Sequence, residues 1–351
     1  MRVLIVSLSP LWKEPPRLAR ALAEQGAAVA SLAITGSLLD YSRFIARRFR
    51  LGDDSQTQND ELVAAIGAFA PDLLLPGDEC SVRWLHAVYR EAAVDASVKA
   101  LIAASLGDPQ WYGRTTDKLA MSQLARELGI AQLETTALAC AEDAHAFVQR
   151  HGWPVVIKAC RGFAGIDVHP CANLRELRRT LRELPMQSSQ LIQRFAPGTT
   201  WMVAFVAHRG EVLGALVAEK QRQHPALIGP STIVRFAHDP AMLESTRALV
   251  HRLGYCGFGS VDFLRTQGRD PLFIEFNPRA TPICHLGGRL GVDLAGAFVH
   301  RRASDSAGMR NERVALFPQE LQRDRSGAGL VGCWHDIPED EPELVAAMLP
   351  D

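Results

Sequence analysis

Residues 271–282 read PLFIEFNPRATP. A period of two predicts a β-strand with Leu272, Ile274 and Phe276 on one face and Phe273, Glu275 and Asn277 on the other, closed by Pro278 and Arg279. The stretch just before it, GSVDFLR at 259–265, predicts the antiparallel partner. A four-residue loop from Gln267 to Asp270 then sets Asp262 opposite Glu275 and Ser260 opposite Asn277. Two carboxylates facing each other across a strand pair repel unless positive charge lies between them. A divalent cation supplies that charge. Mg²⁺ takes oxygen ligands, usually one or two carboxylates plus phosphate oxygens, so Asp262, Glu275 and the Asn277 amide oxygen form a suitable platform. The competing reading is a solvent-facing strand with ordinary polar residues; the apolar opposite face and the arginine that follows argue against it.

Two further stretches suit anionic ligands. In VVIKACRGFAGIDV, Lys158 ends an apolar strand, and the turn from Gly162 to Gly165 offers backbone amides that could cover a phosphate while the ammonium supplies a point charge. An ordinary glycine hairpin is the alternative, and GxxxxGK[ST] is absent. In TTDKLA, Lys118 falls in the first turn of a helix, where a cation opposes the dipole and an anionic partner would relieve it, unless Asp117 neutralises it.

The elements that must position these groups fall into two rhythms. From the start, VLIVSL and AAVASLAI predict strands, PPRLARALAEQG a helix between them, NDELVAAIGAFA a second helix, DLLLPGDE a third strand and SVRWLHAVYREAA another helix. This is a βαβ order and predicts a doubly wound, Rossmann-like sheet over residues 1–111. No GxGxxG follows the first strand, so a dinucleotide fingerprint is not supported. The Ser7 to Leu11 loop and Asp78 lie at carboxyl ends of strands and are candidate substrate contacts, or a turn and a helix cap. From residue 112 onward the pattern becomes α+β. WPVVIKACRGFAGIDVHPC and QLIQRFAPGTTWMVAFVAHRGEVLGALVAEK predict antiparallel hairpins, and GGRLGVDLAGAFVHRRA predicts a last helix. The boundaries expected are 112–194 for a smaller unit, 195–304 for a larger one with the metal site, and 305–351 for an extended, partly charged tail.

Composition excludes several classes. The chain has 351 residues, 38 Lys plus Arg against 39 Asp plus Glu, and a net charge of -1, so no basic field exists to hold a nucleic acid or an anionic membrane surface. No segment reaches the ~18 apolar residues of a membrane span, and no cleavage-site pattern follows the opening apolar run. The seven cysteines, with no CxxC pair, suit reduced thiols. The expectation is a cytoplasmic protein that acts on small molecules.

The order Lys118, Lys158 with its glycine loop, LIQRFAPG, VDF and then IEFNPR resembles the ATP-grasp superfamily, nearest to its carbamoyl-phosphate-synthase-like and carboxylate-amine ligase branches, over about residues 110–300. The resemblance implies a nucleotide clasped between two α+β units, with the preceding α/β domain helping to hold substrate. By that likeness Lys118 and Lys158 contact ATP phosphates, and the loop holding Gly162 and Gly165 closes over them. Gln193, Arg194 and Phe195 match the hinge whose backbone reads the adenine edge. Asp262, Glu275 and Asn277 match the Mg²⁺ ligands, and Arg279 matches a residue facing the transferred phosphoryl group or a substrate carboxylate. The loop EKQRQHPALIGPST brings Lys220, Arg222 and His224 close together; Lys220 is the cation expected near the γ-phosphate, a solvated basic loop being the alternative. Two departures stand out: Ala164 and Asp167 replace frequent glycines of the lid, and Gly198, Thr199 and Thr200 occupy the place where relatives often carry an acid for the ribose. His285 is left without a role.

The implied activity is ATP- and Mg²⁺-dependent ligation of a small-molecule carboxylate to an amine through an acyl phosphate. The alternatives are a kinase, a carboxyphosphate-forming enzyme, for which no biotin-carrier segment or second synthetase half is seen, and a regulator that binds nucleotide without turnover. A homodimer is common among members of that superfamily.

Overall fold

The computed structural model describes residues 1–52, 54–162, 167–184, 189–226, 229–267 and 270–349. Among those residues the strands form three sheets. The first is parallel, with β1 (Arg2–Ser7), β2 (Ala28–Ile34), β3 (Arg47–Leu51) and β4 (Leu73–Pro76) in the order β3-β2-β1-β4. The run Val3–Val6 is continuous and apolar because both faces are covered. Val3 and Ile5 share a core with Leu18 and Leu22 of the helix Glu14–Glu24, while Leu4 and Val6 pack with Leu62, Val82, Leu85 and Ile102 of three helices on the other side. The doubly wound expectation holds. The strand β3, RRFRL, carries no apolar alternation that would have announced it, since an edge strand tolerates charge.

The second sheet is antiparallel, with β5 (Thr135–Leu138), β6 (Val155–Ala159), β7 (Val168–Cys171) and β8 (Gln190–Arg194) in the order β5-β8-β6-β7. The third contains β9 (Thr199–His208), β10 (Glu211–Gln223), β11 (Ser231–Phe236), β12 (Gly257–Arg265), β13 (Leu272–Asn277), β14 (Arg313–Ala315) and β15 (Trp334–His335), in the order β13-β12-β9-β10-β11-β14-β15. The hairpins β6–β7 and β9–β10 form as the alternation predicts. The strand β8 does not pair with β9; it joins β6 and β5, and the chain crosses between sheets at residues 195–198. A glycine is needed at that crossing, because a Cβ on Gly198 would stand 2.5 Å from the Arg265 carbonyl oxygen.

Two other expectations are corrected. The predicted last helix is split into Gly287–Leu290 and Leu294–His300, because Gly291 takes φ +87° to end the first and Asp293 caps the second through the Gly296 amide. Residues 305–349 are not an extended tail. They add β14 and β15 to the large sheet, and Leu344 and Met348 of the helix Pro342–Met348 pack against Leu38 and Phe317. Asp336 forms a buried ion pair with Arg17 at 2.5 Å and accepts from His285 at 3.0 Å, tying this segment to the first domain. Burial pulls the His285 pKa down, with Asp336 acting the other way. No described helix is long and apolar enough to cross a membrane.

Candidate active site

Asp262 pairs with Glu275 and Ser260 with Asn277, the register expected from the loop length. The next pair is Phe263 with Phe273, so Ile274 is an extra residue, a β-bulge. One inserted residue reverses the alternation beyond it. Phe273 therefore joins Phe276, Val261 and Phe263 in the core against helix Pro240–Arg252, while Ile274 faces the cavity with Glu275 and Asn277. The face predicted to hold Phe273 beside Glu275 is thus corrected. Bulges recur beside active sites because they re-aim side chains, and here the bulge lies next to Glu275.

The cavity spans about 640 Å³, the size of a small-ligand site. It opens between the second and third sheets and is closed by residues 11–14 of the first domain and Gln319 of the C-terminal segment. Lys118, Lys158 and Lys220 all line it. Helix Lys118–Glu127 starts at Lys118 because the Asp117 carboxylate caps the amides of Leu119 and Ala120. Asp117 also lies 3.7 Å from Arg161, so Lys118 is balanced instead by Glu275 at 3.2 Å, and its ammonium donates to the Gly162 carbonyl at 2.5 Å. The ammonium of Lys158 donates to Gln193 Oε1 at 2.7 Å. That of Lys220 donates to Asp262 Oδ2, leaving Oδ1 of the same carboxylate, 5% exposed, without a partner among the described residues.

Electrostatics follows from this crowding of opposite charges. Burial would raise the Glu275 pKa, but Lys118, Lys158 and Lys220 outweigh it and hold the carboxyl at about 2. Burial also raises Asp262, which Lys220 opposes. Burial brings Lys158 down to about 8, with Glu275 pulling upward. The donor set suits a hard cation: two carboxylates and an amide oxygen, one of those oxygens unpartnered, in a site with space for phosphate oxygens. Among the described residues no cluster of three or more His, Cys, Asp or Glu could hold a metal by itself. A cation here would depend on ligand oxygens, as Mg²⁺ commonly does.

Arg279 lines the cavity and is 7% exposed. Its guanidinium lies 4.7 Å from the Trp12 ring centroid and 3.4 Å from Glu79. Burial raises the Glu79 pKa, and Arg279 opposes that. Sequence reasoning missed Trp12, Glu14, Glu79 and Gln319, because no motif marks them and only the tertiary fold brings the first three to Arg279 and Gln319 to the same cavity. The fragment PGDE did end a strand at the right place, yet the residue facing Arg279 is Glu79. Asp78 is fully buried; it caps the helix Glu79–Arg90 and accepts from Ser7 and the amides of Leu8 and Ser9, which is the cap-and-turn alternative.

The remaining expected residues divide. Gln193, Arg194 and Phe195 all line the cavity. The amides of Arg194 and Phe195, however, donate to Glu134 and Pro154 carbonyls at 2.9 and 3.1 Å, so those two donors are engaged within the chain. Gly162 and Asp167 line the cavity, and Gly165 lies outside the described residues. Lys220 and Arg222 lie on β10, paired to β11, and not in the loop expected there; Arg222 pairs with Glu320 at 2.8 Å, and of the two Lys220 is the cation brought to the carboxylates.

Residues 121–282 match the family model described as an ATP-grasp domain. The chain is 26% identical over 189 residues to pyruvate carboxylase 1 of Caenorhabditis elegans, covering 49% of this chain and 16% of that protein. It is 26% identical over 188 residues to the carbamoyl phosphate synthase large chain of Gemmatimonas aurantiaca, covering 49% and 17%. The chain therefore spans about a sixth of the length of these relatives. Among solved structures, the biotin carboxylase domain of Hydrogenobacter thermophilus 2-oxoglutarate carboxylase superposes with a TM-score of 0.68 at 15% identity, over 89% of this chain and 73% of that one. The L-amino acid ligase of Bacillus licheniformis gives 0.66 at 13%, over 89% and 78%. N5-carboxyaminoimidazole synthetase of Staphylococcus aureus gives 0.67 at 13%, over 94% and 86%.

Proposed function

Because this chain carries an ATP-grasp domain and has the ATP-grasp fold, we propose that it is an ATP- and Mg²⁺-dependent ligase that joins a small-molecule carboxylate to an amine through an acyl phosphate. The observation that carries the reading is the meeting of three lysines, the facing Asp262 and Glu275, and the buried Arg279 around one cavity. Positioning and charge neutralisation are what phosphoryl transfer asks of a protein. Asp262, Glu275 and Asn277 would hold Mg²⁺, which when bound neutralises phosphate charge and orients the nucleotide. Lys118 and Lys158 would exchange their present partners for phosphate oxygens. Lys220 would sit beside the oxygens of the transferred group, and Arg279 would hold the acceptor carboxylate in line with it. The glycine loop with Gly162 and Gly165 would exclude water from the acyl phosphate. With the Arg194 and Phe195 amides engaged, the base edge would be met by neighbouring backbone, including Ala196, which also lines the cavity.

Support comes from proteins of the same fold: the Hydrogenobacter domain was solved as a dimer with MgADP, ADP and bicarbonate, and the Staphylococcus synthetase with ADP. A homodimer in the cytoplasm, with no nucleic-acid or membrane partner, completes the proposal. Bicarbonate in that neighbour also favours a second reading, a carboxyphosphate-type reaction. Purified protein with Mg²⁺, ATP, hydroxylamine and a panel of carboxylic acids separates them. Hydroxamate with one acid is the outcome the ligase reading expects. ADP released with bicarbonate alone would move the assignment to the second reading, and ADP with no hydroxamate from any acid would contradict an acyl phosphate.

A further inference from the structure

We infer that the Arg279 end of the cavity is a subsite for an amino-acid-like substrate, in which Gln319 and Glu14 accept hydrogen bonds from its ammonium group while Arg279 meets its carboxylate. The inference rests on the ligase reading and names the substrate class of that site.

Three observations converge on it. The side chain of Gln319 is 8% exposed and lines the cavity, yet its Oε1 has no hydrogen-bond partner among the described residues. Leaving such a carbonyl buried and unpaired is unfavourable, and a ligand donor would relieve it. Glu14 begins the helix Glu14–Glu24 and lines the same cavity. Burial raises its pKa, opposed chiefly by Arg279, so an arriving ammonium would relieve a poorly solvated carboxylate. The two acceptors come from opposite ends of the chain but are held together: the Lys13 ammonium donates to Gln322 Oε1 at 2.6 Å, joining the residues before one helix to the helix Gln319–Arg323.

Charge decides the class of ligand. Glu79 balances Arg279 without enclosing it, since Arg279 Nε, 3.4 Å from that carboxylate, makes no hydrogen bond among the described residues. A donor for a carboxylate therefore stands beside two acceptors for an ammonium. Bicarbonate or a simple carboxylic acid would use the arginine and leave Gln319 Oε1 without a donor and Glu14 without a cationic ligand group.

The test uses the full chain with MgATP and a panel of L-amino acids, each beside the acid that lacks only its α-amino group, reading ADP release. Binding of the Mg²⁺ complex of a non-hydrolysable ATP analogue is followed separately by calorimetry. The expected result is at least one amino acid whose KM lies tenfold or more below that of its des-amino partner, with that KM raised about tenfold in Glu14→Gln and in Gln319→Leu. Analogue binding in both variants shows that they are folded. Equal use of the des-amino acid, an unchanged KM in folded variants, or nucleotide binding with no amino acid accepted would each overturn the subsite while leaving the nucleotide reading in place. Failure of the wild type to bind the analogue would instead remove the ligase reading, and this inference with it.

Discussion

In the proposed role of phosphate contact, Lys158 would make nucleotide affinity depend on pH in a direction set by its burial. Burial lowers its pKa from the ordinary 10.5 to about 8. Polyphosphate oxygens would replace Gln193 as its partner and favour the charged form, returning the group toward its ordinary value. The sign follows: the charged lysine is present in the free protein below about pH 8, so affinity is greatest there and declines above it. Near pH 7 free and bound states are both protonated. Near pH 9 only about one free molecule in ten carries the charge, so affinity for MgADP falls about tenfold, about 1.4 kcal/mol, and binding takes up close to one proton. Calorimetry of MgADP binding in buffers of different ionisation enthalpy reads both quantities. Lys158→Arg keeps a charge at all these pH values and should bind with a flat profile. A flat profile in wild type, or the same decline in Lys158→Arg, would refute the assignment of Lys158 to the phosphates.

Three other variants carry expected outcomes. Glu275→Gln should reduce Mg²⁺-dependent ATP turnover by at least about a thousandfold. Because the Glu275 pKa lies at about 2 instead of 4.5, its stabilising contribution holds above about pH 4.5 and is lost as pH falls through about 2; the variant should be less stable at neutral pH by roughly 3 kcal/mol and show a flatter acid limb in urea titrations. Asp336→Ala leaves Arg17 as an uncompensated buried charge and should cost about 3–5 kcal/mol in denaturant unfolding, confirming that the C-terminal segment is part of the fold. Phe273→Ala should cost about 3–5 kcal/mol by the same measurement, since Phe273 is fully packed; a loss below about 1 kcal/mol would contradict the bulge that turns it inward.

What could be read from the residues depended on the range of the interaction. The pairing of Asp262 with Glu275 is the one expected, but loop length does not produce it: beside the loop Leu264 pairs with Leu272 and Phe263 with Phe273, one residue out of the expected register, and the extra residue Ile274 restores it. The bulge at Ile274 does not follow, because an alternating sequence fits either register and packing of Phe273 with Phe263 decides. The buried runs VLIV and LLLP announced the parallel sheet; the arginine-rich edge strand β3 gave no such signal. Residues 313–315 become a strand only because β11 offers an open edge, and 334–335 only because β14 then does, so nothing in their own spacing predicts them. Lys118, Lys158 and Lys220 could be singled out by their neighbours in sequence. Trp12, Glu14 and Gln319 could not, for each becomes part of a site only through contacts spanning most of the chain.

The most direct test of the central claim is transfer of ¹⁸O from a carboxylate-labelled substrate to inorganic phosphate, followed by ³¹P NMR during turnover with Mg²⁺ and ATP. The acyl-phosphate account predicts one ¹⁸O in each phosphate released, in step with amide formed, and none from Glu275→Gln. Amide formed with unlabelled phosphate would contradict it.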